Sequence, residues 1–112
     1  VIVAGRELVM QQGFIQALLE LEQWSGPQNV RKGRALVKRL VDFAYDIIAP
    51  FPLAFPAYAL PTAPDRPLRR AVLDRRYAVP YEVRNTELVF VYAYSPYQQP
   101  ESLELPGPEP AR

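Results

Sequence analysis

The chain has 112 residues, half of them apolar, with no cysteine and no histidine. That length supports one core but not two, and the missing residue types exclude disulfides, thiolate chemistry, histidine-dependent triads and Cys/His zinc sites. The formal charge of +1 conceals an asymmetry: residues 1–100 hold twelve basic against nine acidic groups, and the remainder carries Glu101, Glu104, Glu109 and Arg112.

No apolar run approaches the ~18 residues that span a bilayer, and Arg6 and Glu7 interrupt the apolar N-terminus, which is therefore not a secretory signal. The absence of cysteine fits a reducing cytosol. The first residue is Val1 rather than Met, so further residues are expected upstream. Val1–Val3 and Glu7–Met10 are short apolar runs on either side of Ala4-Gly5-Arg6, and either suits a first strand; residues 6–11 are the preferred one. Phe14, Ala17, Leu18, Leu21 and Trp24 then recur at three- and four-residue intervals, which predicts an amphipathic helix from about Gln12 to Trp24, stopped by Ser25-Gly26-Pro27.

A second helix is predicted from Pro27 or Asn29 to about Ala49. One stripe is Leu36, Leu40, Phe43 and Ile47, widened by Val37, Val41, Ala44 and Ile48. A short link makes the two helices antiparallel neighbours. Their joint apolar face needs a cover, worth about 1.5–3 kcal/mol for each large side chain buried, before entropy is charged against it.

Prolines at 50, 52, 56, 61, 64 and 67 rule out helix, and the stretch reads as an extended connector pinned by Phe51, Phe55 and Tyr58. From Leu68 to Tyr94 three runs of β-branched and aromatic residues are separated by Asp74-Arg75-Arg76 and Arg84-Asn85-Thr86, the pattern of an antiparallel meander. In the middle run Tyr77, Val79, Tyr81 and Val83 share one face and Ala78, Pro80 and Glu82 the other. The last run is apolar on both faces and should be the most deeply covered strand. Pro80 predicts a local bulge if its strand is central. The remainder, residues 98–112, is a Pro/Glu-rich tail expected to be disordered in isolation, which leaves one α+β domain over residues 1–97.

This order of strand, two helices and three-stranded meander on one twisted antiparallel sheet, with RRYAVPYEV followed by ELVFVYAY, resembles the RelE/ParE superfamily of bacterial toxins from type II toxin–antitoxin systems. The resemblance covers about residues 6–97 and rests on the arrangement of elements. It implies a small cytoplasmic protein, without metal or other cofactor, wrapped by the C-terminal segment of a cognate antitoxin. The ParE-like branch, associated with inhibition of DNA gyrase, is favoured. The middle strand reads Tyr77-Ala78-Val79-Pro80-Tyr81, with alanine where nuclease members carry a phosphate-binding arginine, and no lysine follows Lys38.

Partner contacts fall by this reading to Arg69, Arg70, Arg75 and Arg76, whose planar forks suit carboxylates or phosphates, and to the run holding Arg31, Arg34 and Lys38. That run, with Lys32 and Arg39, reads first as a solvated helix face in which Lys38 pairs with Asp42, and second as a nucleic-acid or acidic-antitoxin surface. The open face of the sheet and the groove beside the helices would receive the antitoxin, and Tyr94 and Tyr97 are placed to meet the target. The RelE-like alternative is a ribosome-dependent mRNA endonuclease using Arg70, Arg76 and Tyr94. A third reading is a degenerate, non-toxic member that only binds antitoxin.

Overall fold

The computed structural model describes residues 1–24, 30–61 and 63–95. Tyr97, the tail from residue 98 and the expected start of the second helix lie outside them. Two short strands open the chain, β1 (Ile2–Val3) and β2 (Arg6–Met10), joined through Ala4 and Gly5, both at positive φ. Both apolar runs at the N-terminus are therefore strands. Helix α1 (Gln12–Trp24) follows the predicted stripe, with Phe14, Ala17, Leu18 and Leu21 buried.

Helix α2 (Val30–Phe43) packs on α1, and Gly33 makes the close approach: a Cβ there would overlap the Glu22 carbonyl. The helix continues into a π-helical turn, Ala44–Ile48, closed by the Ala49 N–H donating to the Ala44 carbonyl at 2.9 Å. This corrects the expected stripe. The wider turn rotates Ile48 inward, where it is fully buried, and leaves Ile47 half exposed.

The connector is more structured than a rigid extended link. It holds a 3-10 turn (Pro52–Ala54), strand β3 (Ala57–Leu60) and the start of a long β4 (Ala63–Leu73). The two prolines within a strand, Pro64 and Pro67, fall in β4 between its Leu60–Ala63 and Tyr58–Leu68 pairs with β3, where the register shifts and no ladder donor is required of them. Two of the three aromatics expected to pin it do so: Phe55 packs edge-on against Phe43 and Tyr81, and Tyr58 packs with Leu60 and Leu68, while Phe51, just before the 3-10 turn, is left largely exposed; the buried Tyr81 hydroxyl also donates to the Pro52 carbonyl at 2.5 Å.

β5 (Tyr77–Val83) and β6 (Glu87–Phe90) complete a six-stranded sheet in the order β1-β2-β6-β5-β4-β3. β4, β5 and β6 pair antiparallel, but β2 runs parallel to β6. The sheet is thus mixed, not antiparallel throughout; a parallel neighbour needs a long crossover, and everything between Met10 and Glu87 supplies it. Leu88, Val89, Phe90 and Val91 are fully buried, as two apolar faces require. The β5–β6 register slips by one residue between the Tyr81–Phe90 pair and the bridge of Ala78 to Tyr94. Pro80, with no donor, sits within that slip, and its carbonyl accepts from Val91 N–H at 3.1 Å.

The helices cover one face, where Phe14, Leu40, Phe43 and Ile48 meet Val79, Tyr81, Leu88 and Phe90. The opposite face is not bare. There Leu60 and Leu68 bury with Val89 and Val91, and Arg66 of β4 reaches Gln11 beyond β2, across two intervening strands. The expectation of an open face is corrected: the β3–β4 hairpin curls over much of it.

Candidate functional site

Alternation along β4 separates the arginines that the sequence groups together. Arg69 and Ala71 stand opposite Tyr81 and Val79 on the helix-covered face, so Arg66, Leu68 and Arg70 point the other way. Arg69 Nη1 donates to the Phe55 carbonyl at 2.5 Å, a bond that ties the connector to the sheet. Arg70 belongs to a different group. Its Nη1 donates to the Tyr94 hydroxyl at 2.8 Å, its guanidinium carbon lies 4.4 Å from the Tyr58 ring centroid, and the Tyr94 hydroxyl donates to that of Tyr58 at 3.1 Å.

Tyr94 is 3% exposed. It is held there by its backbone, which exchanges hydrogen bonds with Ala78 at 2.8 and 3.0 Å. Burial, and then the neighbouring Tyr94 hydroxyl, push the Tyr58 hydroxyl up to about 12 against the opposing pull of Arg70. Tyr58 was hidden in the proline-rich connector; the alternation of Ala57, Tyr58, Ala59 and Leu60 was the signal of its strand.

Arg76 stands apart from this trio, in the β4–β5 turn, where Asp74 and Arg75 adopt φ of 54° and 57°. Asp74 forms an ion pair with Arg39 of α2 and brings the turn against that helix. Arg75 and Arg76 therefore adjoin the basic run of α2, not Arg70. Arg31, Arg34 and Lys38 are exposed on α2, and Lys38 donates to Asp42 at 2.7 Å, a bond that raises its pKa.

A polar clasp was not foreseen. Arg66 donates to Glu82 at 3.2 Å and to Gln11 at 3.1 Å, and Arg84 donates to Glu82 at 2.7 Å and to Glu87 at 3.3 Å. Burial alone would raise the Glu82 carboxyl, but the bonds and charges of Arg84 and Arg66 outweigh it and hold it below the usual range. Arg84 with Glu82 and Glu87 is local, but Arg66 lies sixteen residues from Glu82 and fifty-five from Gln11, so no local spacing announces the whole clasp. Among the described residues no three His, Cys, Asp or Glu side chains gather as metal ligands, and no helix is long and apolar enough to cross a membrane.

No protein-family model matches the chain, and no curated protein matches it.

Proposed function

We propose that the chain is the toxin of a type II toxin–antitoxin system, of the ParE-like kind, which acts in the cytoplasm by binding a DNA topoisomerase and is neutralised by a cognate antitoxin. The order of strand, paired helices and β4–β5–β6 meander supports the family reading. The reading of a binder rather than a catalyst is carried by Tyr94. A general acid aims its proton at the leaving oxygen, whereas this buried hydroxyl gives its proton to Tyr58 and takes one from Arg70. The neighbouring strand position is Ala78, 7% exposed, with no cation for a phosphate.

A protein partner also has apolar side chains to grip. Ile47, Phe51 and Leu53, at and just beyond the π turn, are 50%, 69% and 61% exposed. In this reading they receive the antitoxin, and a target reaches the surface of the protein before it reaches Tyr94.

The mRNA-endonuclease reading keeps one observation in its favour, the 2.8 Å contact of Arg70 with Tyr94. Induced expression without antitoxin separates the two. The binding reading expects DNA damage and filamentation while translation continues, and unchanged toxicity in Arg70→Lys. Rapid loss of translation, abolished by Arg70→Lys, overturns it in favour of the nuclease, and normal growth would leave only antitoxin binding.

A further inference from the structure

We infer that α2 and the β4–β5 turn form one cationic ridge that binds the phosphate backbone of duplex nucleic acid without reading its sequence. The inference is independent of the toxin reading and uses neither Arg70 nor Tyr94. The Arg39–Asp74 ion pair joins two basic segments that lie more than thirty residues apart in the chain. Arg31, Lys32 and Arg34 lie about one and a half to two turns before Arg39 on the helix, and Arg75 and Arg76 follow Asp74 in the turn. All five are exposed, and none has a carboxylate partner among the described residues. Of the acids nearby, Asp74 is occupied by Arg39 and Asp42 by Lys38, and the charge of Asp46 also acts on Lys38.

The turn supplies a second reason. Arg75 holds φ at 57°, where glycine would rest without strain. A strained arginine kept at the tip of a hairpin is there for its side chain.

The chemistry of the surface selects the partner. A protein interface needs buried apolar or aromatic anchors at its centre, whereas among the described residues the large apolar side chains exposed next in sequence to the five cations and Asp74 are two valines, Val30 beside Arg31 and Val72 two residues before Asp74; Ile47, Phe51 and Leu53 lie beyond the C-terminal end of α2. Among the described residues Tyr77 follows Arg76 but packs against the core, and no exposed aromatic ring stands among the five cations as a platform on which the bases of a single strand would stack. What remains is long, solvated positive charge on rigid elements, which suits phosphates. At 1.5 Å per residue the helix from Arg31 to Arg39 is about 12 Å long, the axial span of three or four phosphates of one strand.

The test is a fluorescence-anisotropy titration of the whole chain against a labelled duplex DNA of arbitrary sequence, repeated over salt concentration. Five uncompensated cations predict a log–log slope of about −4.5 and a loss of affinity of about five-hundredfold between about 50 and 200 mM salt. Two duplexes of different sequence bind equally. The double variants Arg31→Ala with Arg34→Ala and Arg75→Gly with Arg76→Ala each weaken binding about tenfold and each reduce the slope by about two. Arg75→Gly relieves the strained φ, so its melting temperature holds or rises and lost affinity is not lost fold. Duplex RNA in the same titration shows which duplex is preferred, and either preference keeps the phosphate assignment. No binding at low salt, equal binding by the double variants, or tighter binding to polyglutamate or to a single strand would overturn it.

Discussion

Arg70 and Tyr94 meet across the sheet at 2.8 Å, the first from the middle of β4 and the second from the segment that follows β6. The contact closes a trio with Tyr58 at the edge strand and fixes the end of the meander against the hairpin that curls over it. Removing the Tyr94 hydroxyl leaves Arg70 without that acceptor and Tyr58 without that donor. Tyr94→Phe is expected to lose about 1–2 kcal/mol of stability, read from the denaturant midpoint, while growth inhibition persists. Loss of toxicity with unchanged stability would give the hydroxyl a chemical role.

Buried tyrosines titrate late. Tyr58 and Tyr81 are each pushed up to about 12, in both cases chiefly by burial, and burial with the charge of Glu20 also raises Tyr92. A folded-state pKa above the unfolded value of 10 contributes stability that is complete below pH 10 and is lost as pH rises towards 12. Absorbance titration of tyrosinate is expected to show Tyr58 and Tyr81 ionising near pH 12, together with a falling melting temperature in that window.

The Glu82 clasp gives the opposite dependence. Its carboxyl lies below its ordinary value of 4.5, so the stability it contributes is complete above that pH and is lost as pH falls through the lowered folded value. Glu82→Gln is expected to cost about 1–2 kcal/mol at neutral pH and to flatten the acid limb of the stability curve. Equal acid limbs in the two proteins would remove Glu82 from the account.

Gly33 sits where α2 touches the backbone of α1 at Glu22. Alanine would raise helix propensity by about 1 kcal/mol, but its methyl group has to push the two helices apart, at a cost of about 1–3 kcal/mol. Gly33→Ala should therefore lower the urea midpoint, and a higher midpoint would show that the helices separate without cost.

Much of this fold is legible along the chain because its information is local. Phe14, Ala17, Leu18 and Leu21 mark α1 by spacing alone, and the alternation from Tyr77 to Val83 marks both the strand and its buried face. The parallel pairing of β2 with β6 is not legible, because nothing in Glu7–Met10 names its neighbour. Ile47 misleads since the π turn changes the period where the stripe is counted. Prolines at 61, 64 and 67 hide β3 and the start of β4, and with them Tyr58. The division of Arg69 from Arg70 was readable, since adjacent residues of any strand face opposite ways. The meeting of Arg39 with Asp74 was not, because it depends on how the helices lie on the sheet.

The claim that this chain works by binding is tested most directly with the purified protein, given separately to DNA gyrase on relaxed plasmid and to ribosomes translating a defined mRNA. The account predicts that supercoiling fails and cleaved plasmid accumulates, with the mRNA intact. Unimpaired gyrase together with mRNA cut on the ribosome would contradict it.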